Sequence, residues 1–245
     1  MANKYFAWSF DDGLQQDVRI VSILRKYGMG ATFHLNSGLF GDRTYEGRIG
    51  NLGMKEVPAD TFHTRRHFRL REEEAVQLYD GFEIASHTRT HANLKNCGAE
   101  KARSEILDDV QALSRIFRQR VVGFAYPYGA SADYCKPILQ EAGIRYGRTV
   151  HMDPSFRFPK DPYETPMTSW HIRKNALALT ERFVQEKAEE EDLFFLMFAH
   201  GYEFDFGTRE SNWAKFETIC QIVSAAKDVQ CVSIRDAFER HEKSL

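Results

Sequence analysis

The sequence predicts an α/β protein of the TIM-like barrel class, with parallel strands wrapped by helices. Strand-like and helix-like segments alternate from one end to the other, the strands are apolar throughout, and polar clusters stand just past several strand C-termini. An open, doubly wound sheet is the alternative reading of the same alternation. With 245 residues, 42% of them hydrophobic, the chain can bury a full core and is most simply one domain spanning 1–245.

The first apolar run, Tyr5 to Phe10, reads as a strand that stops at Asp11-Asp12-Gly13. Neighbouring side chains on a strand point to opposite faces. Asp11 and Asp12 can therefore share one pocket only where the backbone turns, and Gly13 permits the turn. Val18, Val21, Ile23 and Leu24 fall at helical spacing and stop at Gly28, and Ala31 to Leu35 reads as the second strand. Further along, helices are expected at Arg71 to Tyr79, Glu100 to Arg118, Ser131 to Ala142, Ala178 to Glu190 and Trp213 to Ala226. Strands are expected at Phe82 to Ala85, Val121 to Tyr126, Ile144 to Thr149, Leu193 to Ala199 and Val229 to Ser233, with a closing helix from Ile234. Two long connections interrupt the rhythm, at about 41–70, which is rich in arginine, and 149–169, which holds four prolines. Loops of this length in a compact domain are usually functional rims or lids.

Composition narrows the partners. A net charge of -2 without long single-sign blocks argues against nucleic acid. Cys97, Cys135, Cys220 and Cys231 form no Cys-x-x-Cys pair, so reduced thiols are expected. The first strand begins by about Tyr5, leaving no room for a signal peptide, and the longest apolar run, Leu193 to Ala199, is too short to cross a bilayer. As written the chain reads as cytoplasmic, or as secreted if a leader has been trimmed. Nothing in it fixes an oligomeric state.

The chemistry gathers at the strand ends. Two adjacent carboxylates repel unless a cation lies between them, and a divalent metal is the simplest such cation. Strand Phe82 to Ala85 runs into His87-Thr88-Arg89-Thr90-His91, a four-residue spacing that sets both imidazoles on one side of a helical turn. Two other strands run into Pro127-Tyr128-Gly129 and His200-Gly201. In a βα barrel these ends meet on one face. His63 and His67 repeat the spacing but follow no strand and stand beside Arg65 and Arg66, which would repel a cation.

Ser9-Phe10-Asp11-Asp12-Gly13, His87-Thr88-Arg89-Thr90-His91, Phe124-Ala125-Tyr126-Pro127-Tyr128-Gly129 and His200 resemble, in order and spacing, the motifs of the polysaccharide deacetylases, the NodB-homology domain of carbohydrate esterase family 4. The resemblance implies a distorted (β/α)7 barrel and metal-dependent hydrolysis of acetyl groups from N-acetylated sugars or glycans. It implies Asp12, His87 and His91 as ligands of Zn2+ or another divalent ion such as Co2+ or Ni2+, Asp11 as general base and His200 as general acid. The Tyr128 backbone N–H would stabilise the oxyanion. Many members carry arginine where this chain has Ala125, so Arg173 is expected to supply that charge to Asp11. Pro127, Trp170, Leu196, Phe198, Tyr202 and Glu203 make up the expected substrate-contacting set. Hydrolysis of another amide or an O-acetyl ester, and a catalytically silent sugar-binding barrel, are the alternatives.

Overall fold

In the computed structural model, which describes residues 2–42 and 68–244, β1 (Lys4–Asp11) is buried along its whole length. It pairs with a neighbouring strand on each side in the sheet. All strand pairs in that sheet are parallel, in the order β6-β5-β4-β3-β2-β1-β8-β7. The members are β2 (Ala31–Leu35), β3 (Glu83–Ser86), β4 (Gly123–Ala125), β5 (Tyr146–Met152), β6 (Thr165–Met167), β7 (Ser169–Trp170) and β8 (Leu193–His200). The sheet curls until its two edges come from one extended stretch: β6 pairs with β5, and β7 pairs with β8. Thr168 lies between them and donates its N–H to Leu196 of β8 at 2.8 Å. The result is the nearly closed, parallel, distorted (β/α)7-type barrel that the sequence predicts. β9 (Val229–Cys231) pairs with the first three residues of β1, at the end of the barrel away from the polar clusters.

Helices α1 (Asp17–Lys26), α2 (Glu72–Leu78), α3 (Ala99–Phe117), α4 (Cys135–Glu141), α5 (Ala176–Gln185), α6 (Trp213–Ala225) and α7 (Ile234–Ser244) complete the alternation. Phe6, Trp8 and Phe10 of β1 and Phe195, Met197 and Ala199 of β8 share the large cluster with helix residues such as Ile20, Ile219 and Phe216. The alternate residues Tyr5, Ala7, Phe194 and Leu196 belong to a second, interior cluster with Tyr146. Both faces of β1 and β8 are thus buried over nearly their whole length. This is why these segments read as unbroken apolar runs.

The register of β1 against β8 stacks the interior in layers: Tyr5 with Phe194, Ala7 with Leu196, Ser9 with Phe198, and at the mouth Asp11 with His200. A strand with period 2 therefore delivers its last inward residue to the place where chemistry is expected.

One expectation needs correction, and another lies largely outside the described residues. The proline-rich connection at 149–169 is not one loop, since the end of β5 and all of β6 fall within it. Alternation fails there because β6 and β7 are three and two residues long, below the length at which periodicity carries a signal. Of the arginine-rich connection, residues 43–67 lie outside the described residues, and with them His63, Arg65, Arg66 and His67. Among the described residues no helix is long and apolar enough to cross a membrane.

Candidate active site

Asp11 ends β1, and the backbone turns at once. Asp12 has φ 82° and Gly13 φ 66°, so the turn starts one residue earlier than a glycine alone would require. Aspartate tolerates this left-handed region better than most residues. The turn leaves both carboxylates buried, Asp11 beside His87 and His34 and Asp12 beside His91, His200 and His87.

His87 and His91 follow β3, but no helix holds them: α3 starts only at Ala99. Thr88 (φ 62°) and His91 (φ 56°) coil the chain back, bringing the two ring centroids to 4.8 Å. His87 Nδ1 lies 2.8 Å from the Ala125 carbonyl, so Nδ1 carries the proton and donates it, leaving Nε2 as a free lone pair. Burial pushes the His87 imidazole down to about 3, and burial also lowers His91, so both are neutral at pH 7.

Asp12, His87 and His91 each offer one donor atom, all within 4.8 Å of one another. Asp12 Oδ1 accepts from Arg69 at 3.1 Å, whereas the buried Oδ2 has no hydrogen-bond partner. An orphaned carboxylate oxygen beside two neutral imidazoles suits a divalent cation, with open coordination positions left for water and substrate. Burial opposes the charge on Asp12, but the Arg69 guanidinium, the largest opposing influence, and the protonated His200 outweigh it and hold the carboxyl far below its ordinary range.

On one side stands Asp11. Burial again opposes its charge, and the Arg148 guanidinium, helped by the hydrogen bond from His34, overcomes that cost and keeps it ionised. Arg148 Nη2 donates to both carboxylate oxygens, to Oδ1 at 2.5 Å. The expected partner was Arg173. That residue is exposed beyond β7, where its carbonyl accepts from Lys215 at 2.9 Å. The missing guanidinium comes instead from β5, whose Arg148 pairs in register with Ala125.

On the other side stands His200, with Nε2 3.8 Å from Asp12 Oδ2. Its Nδ1 lies 2.8 Å from Glu203 Oε1, and its backbone N–H donates to Glu203 Oε2 at 3.0 Å. Glu203 is therefore no substrate contact. It is buried, also accepts from Trp170 Nε1 at 3.0 Å on each oxygen, and lies 3.1 Å from His171 Nδ1. Burial alone would lower the His200 pKa, but the Glu203 carboxylate reverses this and raises it to about 9. Glu203 itself, penalised by burial but paired with His200 and His171, is held at about 2.

The remaining expected contacts divide. Phe198 and Trp170 pack together, with ring centroids 5.6 Å apart, in a small cluster with Met167 and Ile172. The Arg148 guanidinium lies 4.4 Å from the Phe198 ring centroid, which sets this cluster beside Asp11. Leu196 belongs one layer deeper and is wholly buried, so it does not reach the mouth. Tyr202 stacks on His200 at 4.9 Å and is also buried. Pro127 is buried at the start of a 3-10 turn in which Tyr128 takes φ 60°. The Tyr128 ring is 66% exposed and meets His91 edge-on at 4.6 Å, and its backbone N–H has no acceptor among the described residues. Sequence reasoning missed Arg148, Arg69, Asn36 and His34; each sits within or beside a strand, among residues that read as ordinary core or loop.

A parallel barrel with a carboxylate and imidazole cluster at its C-terminal mouth defines the class of protein. The polysaccharide deacetylase family model matches residues 1–147, more than half of the 245, and the chain belongs to that family. A putative polysaccharide deacetylase from Mycobacterium smegmatis superposes with a TM-score of 0.62 at 13% identity, over 99% of this chain and 91% of that one. A family 4 carbohydrate esterase from Streptomyces lividans, solved in complex with acetate, gives 0.56 at 17% identity over 95% and 93%. A carbohydrate esterase family 4 pseudoenzyme from Bacillus anthracis gives 0.54 at 15% identity over 96% of this chain and 65% of that one. The chain also spans only 55% of a Streptococcus pyogenes deacetylase. Comparison with curated proteins gives no match.

Proposed function

We propose that this protein is a divalent-metal-dependent hydrolase that removes acetyl groups from an N-acetylated sugar or glycan. The observation that carries the reading is the Asp12, His87 and His91 cluster, flanked by an ionised Asp11 and a protonated His200. Family membership supplies the class of reaction.

Asp12, His87 and His91 would hold the ion, which when bound supplies Lewis acidity toward a water and the acetyl carbonyl. Zinc suits this mixed nitrogen and oxygen donor set, as do cobalt and nickel. Asp11, anionic at neutral pH, accepts a proton from the attacking water. The Tyr128 N–H donates to the carbonyl oxygen as negative charge develops there. Phe198 and Trp170 offer an apolar wall for the acetyl methyl. His200 then gives its Nε2 proton to the leaving nitrogen, so the C–N bond breaks as an amine departs and acetate remains. Each proton transfer is worth about 10²- to 10⁴-fold.

The test is metal analysis together with acetate release from N-acetylglucosamine oligomers, before and after chelation. The expected result is about one equivalent of metal and activity that chelation abolishes and added zinc restores. Asp12→Ala should lose the metal, whereas Asp11→Asn should keep it and lose turnover. Metal without acetate release would point to another amide or an O-acetyl ester. Neither metal nor acetate would leave a catalytically silent barrel; one structural neighbour, from Bacillus anthracis, is described as a pseudoenzyme.

A further inference from the structure

We infer that Arg69 and Asn36 form a buried clamp that sets Asp12 as a one-oxygen metal ligand and ties its turn to the turn bearing His87 and His91. The inference rests on the reading of those three residues as ligands. Arg69 is 3% exposed and Asn36 2% exposed. Arg69 Nη2 donates to Asp12 Oδ1 at 3.1 Å, and Nη1 donates to the Asp12 carbonyl and, at 2.7 Å, to Asn36 Oδ1. Asn36 Nδ2 in turn donates to the carbonyls of His87 at 2.6 Å and Thr88 at 2.8 Å. One guanidinium and one amide thus join the ends of β1, β2 and β3.

The segment carrying Arg69 is itself fixed across the Asp-Asp-Gly turn. Leu14 and Arg69 form an antiparallel bridge, the Leu70 N–H donates to Gly13 at 2.9 Å and the Gln15 N–H donates to Phe68 at 2.9 Å. The consequence for Asp12 is specific. Arg69 binds Oδ1, which lies 3.8 Å from His91 Nε2, and leaves Oδ2, 3.8 Å from His200 Nε2, as the oxygen with no hydrogen-bond partner. Without the fork, both oxygens could turn toward a cation and raise its coordination number, filling a position the reaction needs. A guanidinium this close also repels a bound dication. The two effects have opposite signs, and the density of hydrogen bonds indicates that positioning dominates.

Cobalt binding separates them. Arg69→Lys keeps the charge but loses the planar fork; Arg69→Gln loses both. Apparent Co2+ affinity is measured by competition with a chromophoric chelator, and the visible absorption of the cobalt-loaded protein is recorded alongside, with folding of the metal-free variants checked by circular dichroism. Outer-shell partners of metal ligands typically contribute about 10- to 100-fold in affinity, and a loss in that range is expected for both variants. Visible absorption should also weaken, as it does when cobalt gains a ligand oxygen. Wild-type affinity and spectrum in Arg69→Lys would overturn the clamp, as would tighter binding in Arg69→Gln. A wild-type protein that takes up no cobalt would overturn the metal site and the clamp with it.

Discussion

Arg148 and Asp11 are 137 positions apart in the chain, yet the guanidinium of one donates to both carboxylate oxygens of the other inside the barrel. The pair spans from β5 to β1, and it makes a buried, ionised Asp11 affordable in a medium that penalises charge. Arg148→Ala should therefore lower kcat/KM for acetate release by about 10²-fold or more, the scale of losing a general base. Because the largest influence opposing burial would then be gone, the Asp11 pKa should rise and the acidic limb of the profile should move to higher pH. Arg148→Lys should recover only part, since an ammonium cannot reproduce the fork. Arg173→Ala, at the exposed end of β7, should leave the profile unchanged; loss of activity there instead would reverse the assignment.

Much of the fold was legible because parallel strands buried on both faces announce themselves as apolar runs, as Tyr5 to Phe10 and Leu193 to Ala199 do. Asp11, Asp12, His87, His91 and His200 were legible because a barrel brings strand ends together whatever their separation in sequence. Arg148 was not, since a lone arginine inside a strand carries no pattern and only the register places it against Ala125. Glu203 was legible as polar but misassigned. Its position three residues after His200 could equally face solvent, and only the 3-10 turn from Gly201 folds it back beneath the imidazole.

Asp17 carries a cost that pH should reveal. Its Oδ2 accepts from the Tyr79 hydroxyl at 2.6 Å, while the buried Oδ1 has no partner. Burial raises its pKa from 3.8 to about 7. Between about pH 4 and 7 the folded state thus keeps a proton that the unfolded chain has released, and stability falls as pH rises through that window. Asp17→Asn removes this dependence. Thermal unfolding at pH 5 and pH 8 should show a smaller drop in the variant, by on the order of 2–4 kcal/mol at most. An identical drop in both proteins would mean that Asp17 is ionised in the native state.

Gly123 lies where β4 faces the interior, and a Cβ built on it would collide with the Tyr146 phenol. That phenol donates to Glu83 Oε1 at 3.0 Å, and Glu83 also accepts from Thr32 Oγ1 at 2.6 Å. Gly123→Ala must therefore displace a buried hydrogen-bonded side chain. A loss of about 1–3 kcal/mol is expected, the usual scale of overpacking, and calorimetry should register it as a lower Tm. Tyr146→Phe in the same background should restore part of the loss by removing the clashing oxygen. An unchanged Tm in Gly123→Ala would show that the interior has room to spare.

The Glu203 carboxylate makes a prediction that separates electrostatics from support. An acid catalyst must hold its proton until the leaving group takes it, and for His200 in the proposed role Glu203 meets that need by lifting its pKa to about 9 against the opposing effect of burial. Glu203→Gln keeps the size and one acceptor for His200 Nδ1 but removes the charge. The imidazole then loses its proton at or below the ordinary value near 6.5, so the alkaline limb of kcat/KM should move to lower pH. Activity near pH 6 should be reduced far less than activity near pH 8.5. A purely structural role would depress the rate equally across the range, because misplacing an imidazole does not depend on pH. The acidic limb, set by Asp11 with Arg148, should stay in place, since Glu203 touches neither. Parallel wild-type and variant profiles offset by a constant factor would refute the electrostatic account and leave Glu203 as a strut.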